Sequence, residues 1–336
     1  MLGLEVVCYS EKYEEAHKAF ASRMWKARRR REPVYLRWKF RGPQQGPVPG
    51  LLLVVRNGEV IGQNGLITSQ AVVDGNKKDA LLGCDLMVDE KFHGLGVGPM
   101  LILASMERAR LLLGSDPSPL AESLGRSLDH QYITGPVKMI LPLRLEQILS
   151  WKLKGRVASL IPFLAATLNP LLTIRNRSLR RSAHDQESTF CQWKELTRTI
   201  DEHSDSLRLP HVVHDAEFLH SRCNALPGFN PELSGIRTKS GGWAVVGPEN
   251  PSCQVYDWVA NSFTDCISII RRTYEFAISN GSDTIRIFAN TKEEQQWLSK
   301  IGFIAMRRPV KVVVYPKAAN NNSASAFRYT IFDASI

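Results

Sequence analysis

A glycine-rich loop set between an apolar strand and an apolar helix constrains this chain more than any other stretch. Leu81 to Val88 is apolar enough for a buried strand and leads to His93-Gly94-Leu95-Gly96-Val97-Gly98. A helix-like apolar segment, Met100 to Arg110, follows at once. Glycines let the backbone approach a ligand closely, and the first-turn N–H groups of a helix lack intrahelical acceptors, so such a junction is an anion site. The loop is expected to hold a phosphate-bearing cofactor. Its spacing, Gly94-x-Gly96-x-Gly98, is not the Gly-x-Gly-x-x-Gly of a dinucleotide fold. No Gly-Lys-Ser/Thr follows, which excludes a nucleoside-triphosphate loop.

At 336 residues the chain exceeds one typical domain, and two are expected. Hydrophobic residues at 43% and charged residues at 23% suit a core-forming protein. Six cysteines (Cys8, Cys84, Cys191, Cys223, Cys253, Cys266) are scattered without a Cys-x-x-Cys pair, so neither zinc nor a redox dithiol is expected, and no metal. They read as reduced thiols of a cytoplasmic protein, mostly in the core. Glu5 and the polar stretch from Ser10 interrupt any apolar leader. A net charge of +10 suits an anionic partner: CoA, a nucleotide sugar, a membrane surface or nucleic acid.

The first half reads as strand Leu4–Tyr9, helix Tyr13–Trp25, then a hairpin of Gly50–Arg56 and Glu59–Thr68 joined by Asn57-Gly58, the strongest two-residue turn signal. Strand Leu81–Val88, the glycine loop, helix Met100–Leu112, a helix over Ser118–Tyr132 and strand Val137–Leu143 complete it. The second half repeats the tail of this order: strand Cys253–Val259, helix Cys266–Ile278 ending at Asn280-Gly281, and strand Asp283–Ala289. Helix Asn290–Ile301 follows, with Asn290 or Thr291 as N-cap and Gly302 as C-cap, and Pro309–Tyr315 and Arg328–Phe332 close the half.

The loop, read as His93-x-x-Gly96-x-Gly98 after a strand and before a helix, resembles the pyrophosphate loop of the GNAT acetyltransferases, with His93 where that family has Arg or Gln. The run IFANTKEEQQWLSKIGF, from Asn290 to Gly302-Phe303, resembles the family's strand–Asn–helix–Gly-Phe signature. The resemblance implies an α+β fold of two tandem GNAT-like domains, each a mostly antiparallel twisted sheet flanked by helices. Residues 1–146 would form the N-terminal domain with the CoA loop, 147–186 a basic helical connector, and 187–336 a C-terminal domain that has lost CoA binding, since Val259-Ala260-Asn261-Ser262 lacks Gly-x-Gly. Tandem chains of this form resemble acyltransferases of polysaccharide and cell-envelope biosynthesis, and Phe218-Leu219-His220-Ser221-Arg222 resembles a short element found there.

The resemblance implies acetyl-CoA as co-substrate. Met87 and Val88 would hold pantetheine or the oxyanion through backbone N–H groups, and His93, Gly94, Gly96, Val97 and Gly98 would hold the pyrophosphate. An acceptor amine with a pKa of ~10 lies about three units, roughly 4 kcal/mol, from its nucleophilic form at neutral pH. Asp85 is the candidate base that closes this gap, unless it serves a structural hydrogen bond, and Asp89 and Glu90 read as solvated. Tyr132, three residues before Gly135, is the candidate acid for the departing thiolate, or else packs against the sheet. Cys84 reads as core because no base accompanies it.

Residues 157–174 carry no charge, and Lys152, Lys154, Arg156, Arg175, Arg177, Arg180 and Arg181 flank them. This reads as a packed connector or as an interfacial segment giving peripheral membrane contact through 152–181. The basic run Lys26 and Arg28–Arg31 lacks interleaved aromatics, which argues against nucleic acid. The resemblance implies a small-molecule amine as acceptor, such as an amino sugar, nucleotide sugar or lipid-linked glycan intermediate. An aminoacyl-tRNA-dependent transferase of the peptide-bridge type, and a non-catalytic acyl-CoA-binding scaffold, are the alternatives.

Overall fold

The computed structural model describes residues 3–25, 32–108, 111–145, 149, 161–175, 179, 187–207, 210–223, 233–306, 308–315, 327–330 and 333. The basic run at 26–31 and the stretches 151–160, 176–178 and 180–186 of the connector lie outside them. The protein is α+β, with two mostly antiparallel sheets flanked by helices.

The first sheet begins with β1 (Leu4–Tyr9), and α1 (Glu14–Met24) and α2 (Pro33–Lys39) follow. The meander β2 (Val48–Arg56), β3 (Glu59–Val73) and β4 (Asn76–Val88) comes next. Asn57 and Gly58 both take positive φ, 50° and 81°, the turn that matches the strand twist and that the Asn-Gly pair predicts. Helix α3 (Val97–Met106) leads to β5 (Leu112–Ser115), α4 (Pro119–Ser127) and β6 (Gln131–Thr134). Strand β4 pairs with β5 in parallel, an arrangement that needs a crossover, here made through α3.

The second half runs through α5 (Ile161–Arg175), β8 (Ser188–Cys191), α6 (Thr197–Ser206), β9 (His211–Val212) and α7 (Ala216–Cys223). Then come β10 (Ser234–Thr238), β11 (Trp243–Glu249), β12 (Ser252–Val259), α8 (Phe263–Ser279), β13 (Thr284–Ala289), α9 (Lys292–Ile301), β14 (Ile304–Ala305) and β15 (Lys311–Tyr315). Here β12 pairs with β13 in parallel around α8, repeating the β4–α3–β5 unit.

The halves exchange strands. Strand β7 (Val137–Pro142), expected to close the first half, pairs with β13 and β14 in the second sheet. Strand β15, expected to close the second half, inserts between β5 and β6 in the first. Both strands alternate or run apolar, so sequence identifies them as strands without saying which sheet takes them.

Other expectations need correction. The helix expected over Ser118–Tyr132 stops at Ser127, because Asp129 turns the backbone to φ 60° before β6 begins; Tyr132 stands on a strand. The helix expected over Met100–Leu112 is Val97–Met106, and Leu112 opens β5. At α9 the cap is Thr291, one of the two residues expected, and with Glu294 it forms a reciprocal capping box. Arg328 makes an isolated bridge to His211 rather than opening a strand among the described residues. Among the described residues no helix is long and apolar enough to cross a membrane.

Three apolar clusters hold the layers. One lies between α3 and the first sheet and includes Leu52, Ile61, Val97 and Leu101. A second lies against α8 on the second sheet and includes Val255, Ile269, Ile270 and Ile287. The largest joins the inner sides of both sheets, with Leu53, Ile67, Leu82 and Val312 from one and Trp243, Val245 and Phe288 from the other.

Candidate active site

Strands β4 and β5 stay paired from Leu81↔Leu112 to Gly83↔Gly114, and beyond that point the pairing ends. A bulge sits where they part. Gly65 pairs with Cys84 and Gln63 with Met87, so Asp85 and Leu86 together oppose Asn64. Asp85 takes φ 53°, a left-handed conformation that aspartate tolerates better than most residues. Beyond the bulge the Asp89 N–H donates to the Ile61 carbonyl at 3.0 Å. Amide directions alternate along a strand, so the Met87 N–H also faces β3, whereas the Val88 N–H faces the open edge. Of the two backbone groups named from sequence, Val88 is the one placed to meet a ligand there.

Gly94 and Gly96 take φ 83° and 79°, and Gly96 caps α3 without a capping side chain. An added Cβ at either residue meets nothing within 4 Å, so the conformation rather than crowding requires glycine. Gly94, Gly96, Val97 and Gly98 line a groove of about 660 Å³ with Met87, Val88, His93 and the start of α4. The first-turn amides of Val97 and Gly98 supply the donors, and Pro99 supplies none. His93 Nε2 lies 3.2 Å from the Val88 carbonyl, so its ring is tied back to β4.

This groove shares Leu86, Ser118 and Ala121 with a second cavity of about 320 Å³ in the fork between β4 and β5. Asp85 and Tyr132 both line that cavity, as do Cys84, Ser115 and His130. The two candidate catalytic residues are thus brought together, but both are engaged. Asp85 Oδ2 accepts from Lys39 Nζ at 2.6 Å, with the lysine side chain 1% exposed. Burial works against the Lys39 charge, yet the fields of Cys84 and Asp85 outweigh it and raise its pKa. The Tyr132 hydroxyl donates to the Glu122 carbonyl at 2.9 Å, and the Arg126 guanidinium lies 4.5 Å from the ring centroid. Burial raises the Tyr132 pKa. Asp89, read as solvated, is instead buried and accepts from Arg23 Nε at 2.9 Å.

Sequence reasoning missed several residues here. His130 lines the cavity with a buried Nε2 that has no partner, and burial lowers its pKa. Val312, Phe327, Tyr329 and Asp333 reach the same cavity from the far end of the chain. Tyr329 donates to Ser115 Oγ at 2.6 Å, and Asp333 Oδ1 lies 2.7 Å from His214 Nε2. His214 Nδ1 lies 3.1 Å from Asp257 Oδ2, and Asp257 Oδ1 accepts from Arg328 at 2.7 Å. Burial opposes the His214 charge, but Asp333 and Asp257 raise its pKa to about 9. Burial likewise opposes ionisation of Asp257, but Arg328 and His214 lower its pKa to about 2. No single motif marks these residues, since they converge from distant segments.

At the matching place in the second half, the N-terminus of α8 is occupied by its own side chains. Ser262 Oγ accepts from the Asp265 N–H at 3.1 Å. The Asp265 carboxylate accepts from the Asn261 N–H at 3.1 Å and from the Ser240 hydroxyl. A buried carboxylate thus sits beside the helix N-terminus, where a phosphate would otherwise dock. Among the described residues no cluster of His, Cys, Asp and Glu could hold a metal ion.

No protein-family model matches the sequence, and no curated protein sequence does either. Solved structures match it in shape. A GCN5-related N-acetyltransferase from Kribbella flavida superposes with TM-score 0.61 at 14% identity, covering 93% of this chain and 71% of that one. A putative acetyltransferase from Pyrococcus horikoshii gives 0.58 at 11%, covering 98% and 95%. Saccharomyces cerevisiae N-myristoyltransferase with bound myristoyl-CoA gives 0.55 at 10%, covering 94% and 83%. The chain therefore has the fold of the GNAT acetyltransferases, with two sheets in tandem.

Proposed function

We propose that the chain is an acyl-CoA-dependent N-acyltransferase whose cofactor site lies in the first sheet. One observation carries this: an uncapped helix N-terminus behind a glycine loop opens into a groove that continues through the β4–β5 fork to a cavity holding Asp85. The residues present fit a CoA thioester. The Gly94, Gly96, Val97 and Gly98 backbone would take the pyrophosphate. The Val88 amide would take a pantetheine carbonyl, and His93 would steady the loop rather than reach the phosphates. Bound there, the thioester supplies the activated acyl group.

Asp85 would take the proton that the acceptor amine must lose, with Lys39 Nζ at 2.6 Å holding the carboxylate in place. Acetyl-CoA is the simplest co-substrate. The N-myristoyltransferase neighbour carries myristoyl-CoA, which supports a CoA thioester in general. A phosphate-bearing amino sugar or nucleotide sugar would suit the net charge of +10 as acceptor. The six free thiols suit a reducing, cytoplasmic setting. Helix α5 exposes Phe163 between basic flanks and would allow peripheral contact with anionic lipid.

The domain division at 1–146, 147–186 and 187–336 is part of this reading, with CoA in the first domain. A second reading, a non-catalytic acyl-CoA-binding protein, is favoured by the internal bonds that engage Asp85 and Tyr132. Calorimetry with acetyl-CoA on the wild type and on Gly96→Trp tests the site. Micromolar binding lost in the variant supports it; no binding of CoA or any thioester by the wild type overturns it. Turnover with an amine panel, lost in Asp85→Ala, then separates enzyme from binder.

A further inference from the structure

We infer that the preferred co-substrate carries a medium-length acyl chain, of roughly six to eight carbons, rather than acetyl. This rests on the acyl-CoA reading above. The cavity in the β4–β5 fork measures about 320 Å³. At ~30 Å³ per water- or methylene-sized group it holds about ten such groups, several times what an acetyl group fills.

Its walls also favour hydrocarbon. Ile67, Leu82, Leu113, Val212, Val312 and Phe327 line it, and each belongs to the apolar core shared by the two sheets. Four of the polar lining groups are turned to protein partners: Asp85 to Lys39, Tyr132 to the Glu122 carbonyl, Tyr329 to Ser115 and Asp333 to His214. A polar acceptor lodged throughout this space would find few groups to satisfy it, whereas an alkyl chain needs none. His130 Nε2, without a partner, remains to meet one polar atom such as the thioester oxygen or the acceptor nitrogen.

The position fits a tail. The cavity begins where β4 and β5 part, next to the loop groove, and runs into the core from there. An acyl chain anchored by CoA in the groove would thread the fork and lie along these side chains. The second half then contributes to specificity, because Val212, Val312 and Phe327 come from it.

Calorimetry with free CoA and with acetyl-, butyryl-, hexanoyl-, octanoyl- and dodecanoyl-CoA tests the inference without requiring turnover. The expected result is at least tenfold tighter binding of hexanoyl- or octanoyl-CoA than acetyl-CoA, with no further gain at dodecanoyl. Leu113→Phe should remove the gain while leaving acetyl-CoA affinity unchanged, and Ile67→Ala should move the limit to longer chains. Thermal melting checks that each variant folds, and if Leu113→Phe does not, Ile67→Ala decides. Equal affinity across the series, or a preference for acetyl, overturns the inference while sparing the CoA site. Failure of free CoA and every thioester to bind overturns both.

Discussion

Lys39 Nζ lies 2.6 Å from Asp85 Oδ2, and this ion pair, almost wholly removed from solvent, joins α2 to the bulge of β4. Asp85 is also held through its backbone, since the Gln63 side-chain amide lies 3.4 Å from its carbonyl and Gln63 in turn meets buried His17 at 2.9 Å. Removing one member of a buried pair strands the other charge. Lys39→Met is therefore expected to cost about 3–5 kcal/mol in urea unfolding. The double variant Lys39→Met/Asp85→Asn, whose asparagine tolerates the φ of 53°, should recover most of that loss. A double variant no more stable than Lys39→Met would show that the pair is not the source of the cost.

Tyr132→Phe separates packing from acid catalysis. The hydroxyl proton is committed to the Glu122 carbonyl, so the variant should lose about 1 kcal/mol of stability. Its kcat should stay within about twofold of wild type in steady-state assays. A fall of about a hundredfold, the scale of a lost general acid, would restore the catalytic role.

The His214 cluster should make stability fall on the alkaline side. Its pKa is raised from 6.5 to about 9, so its contribution is complete below 6.5 and is lost as pH rises through about 9. Asp257, lowered from 3.8 to about 2, contributes above 3.8 and fails as pH falls toward 2. Melting temperatures between pH 5 and 10, on the order of the range that brackets the histidine shift, should decline for the wild type. His214→Gln should melt lower at the acidic end and show a flatter profile. Parallel profiles for the two proteins would remove His214 as the cause.

Each chain should bind one CoA. The Ser262 hydroxyl caps α8 through the Asp265 N–H and the Asp265 carboxylate takes the Asn261 N–H, so the helix N-terminus of the second half is occupied by its own side chains. Ser262→Ala should lose about 0.5–2 kcal/mol of stability, as cap removal does, and leave calorimetric stoichiometry unchanged. Two equivalents bound per wild-type chain would contradict this.

Local elements were legible in the sequence wherever one residue's backbone preference decides the outcome. Asn57-Gly58 fixed the hairpin, Gly302 fixed the end of α9 while its start lay at Asn290 or Thr291, and the glycines fixed the loop before α3. The boundary before β6 was missed because Asp129 ends α4 where a glycine or proline signal would be sought. The cavity's second wall was not legible at all. Phe327, Tyr329 and Asp333 reach the fork only through long-range partners such as Ser115 and His214, and no local pattern encodes such a pairing. Lys39 reads as an ordinary surface lysine until the bulge brings Asp85 to it.

The reciprocal placement of β7 and β15 has a consequence for how the molecule comes into being. Strand β15 separates β5 from β6, so the first sheet stays split until residues 311–315 leave the ribosome. Until then β5 and β6 present unpaired edges, the kind of surface that recruits wrong partners. A gene cut within the connector would yield two fragments that each lack an inner strand. Such fragments should be insoluble when made singly and should regain a common fold when made together, because each carries the strand the other is missing.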